Sequence, residues 1–306
     1  MWRSFNLRLN EVKKSHAASS KRMLMKPTIL FGAALITLLV PRSEAQTKIA
    51  TNLYLFGNTA ALIGPDSVLL VDSGTNADII NYELQTISDA PVRLVINTSA
   101  SILHSGGNEN FAKLGAIILA RPQVRERIAH PIFSANGMAG SGTPPQRTES
   151  ALPTLTYDSP VTLHLNGEEI QLIPIPHAYS DGDTIVHFVK ADVLMTGEIF
   201  QPSSYPNIDR ANGGTVQGLL NSLNLVASLA GPNTKIIPGY PKTDRAAVIA
   251  QRDMILVLRD RVAAMVKQGA SEGEVLDAKV NADYPSNRLG SNRIIRSIYE
   301  ELTSTK

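Results

Sequence analysis

The sequence predicts an α/β protein of four layers, an αββα sandwich in which two sheets pack face to face with helices on both outer faces. Three observations carry this expectation. The body after residue 45 falls into two halves, each opening on hairpin-like apolar runs and continuing in strand–helix units. A stretch rich in Gly, Pro, Ser and Thr over 131–153 separates the halves. The composition is that of an ordinary globular chain, 306 residues with 43% hydrophobic and 18% charged. The expected organisation is a leader over 1–45, then a single domain over 46–306 whose halves join near 131–153.

The elements follow in order. Runs at 52–56 and 59–63 flank Gly57-Asn58, a strong hairpin signal. Residues 68–72 form an apolar strand that ends in Asp72-Ser73-Gly74. A helix is expected over 77–87, with Ile79, Ile80, Leu84 and Ile87 on one face. A strand at 92–97 leads into a polar, glycine-bearing loop, then a helix over 108–114, a strand over 116–120 and a helix over 122–129. The second half repeats this organisation, though no residue-level repeat is visible. Runs at 161–165 and 170–175 flank the Asn166-Gly167 turn, and further strands are expected at 184–189, 193–195 and 235–237. Helices are expected over 218–229, 244–267, 271–278 and 291–302, the longest carrying Val248, Ile255, Leu258, Val262 and Met265 on one stripe.

The formal charge of +2 suggests a nucleic-acid partner only until the leader is set aside. Residues 1–45 hold eight Lys and Arg against Glu11 and Glu44, a net +6, which leaves −4 on the remainder. An acidic body offers no electrostatic attraction to a polyanion. The leader itself reads as a signal peptide: Lys21, Arg22 and Lys26 precede an uncharged apolar run over 28–40, and Ser43-Glu44-Ala45 offers a small-x-small cleavage site. The run falls short of the roughly 20 apolar residues of a membrane span. An exported protein, periplasmic or secreted, is expected, with an uncleaved anchor as the alternative. The chain has no cysteine, which excludes disulfides and thiolate metal ligands.

The stretch Ile96-Asn97-Thr98-Ser99-Ala100-Ser101-Ile102-Leu103-His104-Ser105-Gly106-Gly107-Asn108 resembles the first metal loop of the metallo-β-lactamase superfamily, N-T-H-x-H-x-D-H-x-G-G-N. Four more segments resemble later or earlier landmarks of that family: Leu70-Val71-Asp72-Ser73-Gly74, the stretch from Pro176-His177 to Asp183-Thr184, Thr196-Gly197-Glu198-Ile199-Phe200, and Ile237-Pro238-Gly239-Tyr240. Five matches in order, each at an expected strand end, cover most of the chain after the leader. The resemblance implies the metallo-hydrolase fold and, in intact members, two zinc ions held by histidines and aspartates.

Carried over position by position, the resemblance also implies that most of the ligands are replaced. Ser99 and Ser101 stand where the H-x-H pair is expected, Leu103 where the aspartate is, and Tyr240 where the final histidine is. His104 and His177 keep their places, and Glu198 replaces a bridging aspartate. A protein zinc site is worth roughly 10–16 kcal/mol over four ligands, about 3 kcal/mol each. Two ligands lost at each site therefore cost about 6 kcal/mol, on the order of 10⁴ in affinity. The leading expectation is a pseudo-hydrolase without a resident cofactor, with at most a small-molecule ligand in the vacated site.

Two other readings remain open at this level. A reduced hydrolase could hold one zinc or other divalent ion on His104, His177 and Glu198, with Tyr240 adding a phenol oxygen, and act on an ester, lactam or similar small substrate. Against it, both histidines could simply hydrogen-bond Asp72, Asp183 or backbone. Metal-free catalysis could use Ser99 or Ser101 with His104 as base. Asp72 is expected to hydrogen-bond the first loop, and Asp181 and Asp183 to shape the second. His130, His164 and His187 lie outside the motif frame and read as surface or strand residues.

Overall fold

Residues alternate between two destinations along the strands, and that alternation builds the sandwich. In β4 (Val68–Val71) Leu69 and Val71 face a core between two sheets, whereas Val68 and Leu70 face a core under helices. In β10 (Asp183–Phe188) Val186 and Phe188 join the inter-sheet core and Ile185 the outer one. A strand buried on both faces needs cover on both, which dictates four layers. The computed structural model describes residues 46–132, 147–238, 242–284 and 290–304.

The first sheet has seven strands in sequential order: β1 (Thr47–Ala50), β2 (Leu53–Phe56), β3 (Thr59–Ile63), β4, β5 (Val92–Ile96), β6 (Ile117–Ala120) and β7 (Leu155–Thr156). It is antiparallel from β1 to β4 and parallel from β4 to β7. The second sheet runs β12 (Lys235–Ile237), β11 (Val193–Met195), β10, β9 (Glu168–Ile175), β8 (Val161–Leu165), with only β11 and β12 parallel. Strand β7 belongs to the first sheet although it follows the Gly- and Pro-rich stretch. Much of that stretch, residues 133–146, lies outside the described residues.

Helices α1 (Ala77–Gln85) and α3 (Asn108–Lys113) cover the outer face of the first sheet through Ile80, Leu84 and Phe111. The short α2 (Ile102–Ser105) and α4 (Pro122–Ala129) follow β5 and β6. Helices α5 (Val216–Leu229), α6 (Arg245–Lys267), α7 (Glu272–Asp277) and α8 (Ser291–Ser304) cover the second sheet. The helix starts carry chemical stops. Thr215 and Asp244 accept backbone N–H bonds at the N-termini of α5 and α6, and Ser271 with Glu274 forms a capping box on α7.

Three expectations need correction. Ile79 does not share the apolar face of α1; it is 50% exposed, because the buried stripe runs through Ala77, Ile80 and Leu84 and Ile79 lies about 100° round the helix from Ile80. The loop after β5 contains a helical turn, α2, capped by Ser101. Strands β1 and β7 are additional; at four and two residues they are too short to leave a periodic signal.

Candidate functional site

The candidate residues sit on the turns that follow strands. Asp72 follows β4, Asn97 to Ser101 follow β5, His177 follows β9, and Thr196 opens the 3-10 turn Gly197–Ile199 after β11. Asp72 adopts a left-handed conformation, φ 64°, which turns its carboxylate back across the end of β5. There it accepts from the Thr98 backbone N–H at 2.7 Å and from Thr98 Oγ1 at 2.8 and 3.0 Å.

His104 completes the cluster. Its Nδ1 lies 2.7 Å from Asp72 Oδ2, and its Nε2 lies 3.4 Å from Glu198 Oε1. The second distance is an ion pair rather than a tight hydrogen bond. Glu198 Oε2 also accepts from Gln201 Nε2 at 2.8 Å. Burial alone would lower the His104 pKa, but the two carboxylates outweigh it and hold the imidazole well above its ordinary value. Burial likewise pushes Glu198 up, yet bonding and attraction to His104, with help from Ser101 and Gln201, hold it below the usual carboxylate range. The two shifts agree in direction: the protonated ring and the ionised Glu198 carboxylate favour each other.

The rest of the motif frame is bonded to itself. Asn97 and Asn108 exchange side-chain hydrogen bonds at 2.8 and 3.0 Å. Asn97 Nδ2 also donates to the His104 carbonyl, as does the Ser73 N–H. Gly107 is required by close approach, since a Cβ there would lie 2.4 Å from the Ser73 carbonyl oxygen. Gly197, at φ 52°, packs so tightly on Thr98 that a Cβ would lie 2.6 Å from its Oγ1. These residues hold the strand ends together whatever the centre contains.

The structure brings Asp72, His104 and Glu198 together, with Ser101 bonding Glu198, and leaves other candidates outside the cluster. His177 is exposed, at φ 59°, and its Nδ1 donates to the Gly213 carbonyl at 2.9 Å. Ser99 is buried and its hydroxyl accepts from the Ser101 N–H; Ser101 accepts from the Leu103 N–H. Among the described residues neither serine bonds His104, whose partners are Asp72, Glu198 and Thr98. Leu103 is half-buried. Tyr240 lies outside the described residues. Asp183 bonds Ser180 through both carboxylate oxygens, and burial pushes it up to about 7. Asp181 pairs with Arg127 at 2.6 Å. His130 is exposed after α4, and His164 and His187 lie on β8 and β10.

Sequence reasoning overlooked Thr98, Gln201 and Tyr179. Burial raises Tyr179 well above its ordinary value, and the charges of Glu198, Asp209 and Asp183 add to this. Thr98 sits inside the quoted motif, but its spacing carries no sign that its hydroxyl would meet Asp72. A cavity of about 420 Å³ lies beside α4, lined by Arg125, His130, Arg147 and Leu152 among others, and shares no lining residue with this cluster.

An αββα sandwich with polar residues gathered on the turns after its strands defines the class of metallo-hydrolase-like folds. The sequence matches the model of the metallo-beta-lactamase superfamily over residues 53–239, and the chain belongs to that family. Solved structures agree on the fold. A metallo-beta-lactamase from Pontibacter korlensis superposes with a TM-score of 0.55 at 12% identity, covering 68% of this chain and 98% of that one. The stereoselective inverting sec-alkylsulfatase Pisa1 from Pseudomonas sp. superposes with a TM-score of 0.59 at 14% identity, covering 84% of this chain. A double mutant of that sulfatase gives 0.61 at 15%. This chain spans 50% of the sulfatase's length. No curated protein matches.

Proposed function

We propose that this chain is an exported pseudo-hydrolase, a metallo-beta-lactamase-fold protein whose two-zinc centre is lost and whose remaining role is to bind a small molecule. One observation carries the reading: both ring nitrogens of His104 face carboxylates, at 2.7 and 3.4 Å. A metal ligand needs a neutral imidazole with a free lone pair, and two facing carboxylates favour the ring's conjugate acid instead.

The donor set supports the same reading and does not fit the family's metal pair. Leu103 has no donor, and the Ser99 and Ser101 hydroxyls accept backbone N–H bonds. Export rests on the leader's charge and apolar pattern.

Metal analysis of the purified full chain, with thermal unfolding before and after a chelator, tests the proposal. Little zinc and an unmoved Tm are expected; two zinc ions per chain would end it. The single-metal alternative has one observation in its favour. His177 donates its Nδ1 proton to Gly213, which leaves an Nε2 lone pair on an exposed ring. Metal-dependent turnover lost in His177→Ala would establish that alternative instead.

A further inference from the structure

Helix α8 lies beyond the family match, yet it reaches the segment that holds His177. Glu301 accepts from the Val216 N–H at 2.6 Å and the Gln217 N–H at 3.0 Å, the first amides of α5. Arg210 bridges the same helix, with Nη1 3.4 Å from Glu301 and Nε 3.0 Å from Glu300. The C-terminal helix therefore pins residues 210–217 at both ends.

Among the described residues, that segment supplies hydrogen bonds to both the ring and the carbonyl of His177. Gly213, which closes the turn Arg210–Asn212, accepts from His177 Nδ1. Thr215 donates to the His177 carbonyl through its N–H at 3.0 Å and its Oγ1 at 2.8 Å. Gly218 leaves no room for that carbonyl to move, since a Cβ there would lie 1.8 Å from it. A non-glycine residue at φ 59° persists only where its surroundings over-determine it. Here the surroundings are a turn and a helix start that Glu300 and Glu301 hold in register.

We infer that Glu301 is a positioning residue for His177: through Arg210 and the first turn of α5, the C-terminal helix sets the tautomer and direction of the exposed imidazole from outside the family's matched region. The chain of contacts runs from Glu301 to Val216 and Arg210, from there to Gly213 and Thr215, and from those to the ring and carbonyl of His177. In the neutral ring the proton then sits on Nδ1, because a carbonyl oxygen can only accept.

Long-range ¹H–¹⁵N NMR of the histidine rings in the full chain, with chelator present, reads this directly. The wild-type protein should show His177 as the Nδ1–H tautomer. Glu301→Ala should lose that preference, giving a mixture of tautomers and a fast-exchanging ring proton, with His104 signals unmoved. Glu301→Gln keeps one acceptor oxygen and should restore part of the preference. If Glu301→Ala does not fold, the comparison rests on Glu301→Gln against wild type. A His177 tautomer unchanged in the folded variants, or a change shared equally by His104, overturns the inference. The chelator makes the result independent of the metal question, so this inference and the pseudo-hydrolase reading fail separately.

Discussion

Asp72 Oδ2 and His104 Nδ1 lie 2.7 Å apart, with 1% and 3% of the two residues exposed. The imidazole's far side meets Glu198, so one cation answers two carboxylates in a place that water barely reaches. Removing His104 would leave both acids buried without a counter-charge. Breaking such a pair by deleting one partner costs about 3–5 kcal/mol. His104→Ala should therefore lower the urea midpoint by that equivalent with an unchanged m-value. A loss below about 1 kcal/mol would mean that the imidazolium does not hold the cluster.

The direction of the shifts sets the pH dependence. His104 has a folded pKa above the unfolded value of 6.5, so its stabilisation is complete below that value and is lost as pH rises through the folded pKa. Asp183 rises from 3.8 to about 7, so the folded state binds its proton more tightly and stability again falls as pH climbs across that interval. Glu198, held low, acts oppositely: its contribution is present above 4.5 and is lost as pH falls through its folded value. Stability should thus peak on the acid side of neutrality and decline toward pH 8. Asp183→Asn should flatten the decline between about pH 4 and 7. Urea titrations showing higher stability at pH 8 than at pH 5 would contradict this account.

Gly197 tests the frame apart from the charges. A left-handed backbone costs an alanine about 1 kcal/mol. Its Cβ would also meet Thr98 Oγ1 at 2.6 Å, forcing the hydroxyl off Asp72. Overpacking of this kind adds roughly 1–3 kcal/mol. Gly197→Ala should lose about 2–4 kcal/mol in chemical unfolding, from these two terms together. Retained stability would mean that the Thr98–Asp72 bonds can shift at little cost.

The parts of this molecule legible in sequence are those governed by period and local chemistry. The apolar run of β4, the Asn166-Gly167 turn and the apolar stripe of α6 all follow from side chains within a few positions of one another. The motif frame was legible too. Asn97, Gly107 and Asn108 are required by packing against Ser73 and each other, whatever stands between them. The bond from His104 to Asp72 was among the readings the sequence left open, but the approach of Glu198 to the other ring nitrogen was not legible, because it joins positions 94 residues apart in the two halves of the chain. The exposure of Ile79 was missed because adjacent apolar residues look alike in composition and differ only in the direction set by the helix.

If the frame is intact and only the ligands are gone, replacing them should rebuild a metal centre. Ser99→His, Ser101→His, Leu103→Asp and Tyr240→His together restore the family's donor types around His104, His177 and Glu198. At about 3 kcal/mol per ligand, each replacement should strengthen zinc binding by on the order of 10² once its partners are present. Leu103→Asp alone should do the reverse of help. It adds a carboxylate at a half-buried position, and should cost about 1–3 kcal/mol of stability without gaining zinc. Zinc competes with a proton for His104, so affinity in the quadruple variant should rise with pH. Isothermal titration at two pH values measures both effects. A quadruple variant that binds zinc no better than the parent would show that the frame, and not only the ligand set, has departed from the metal-binding form.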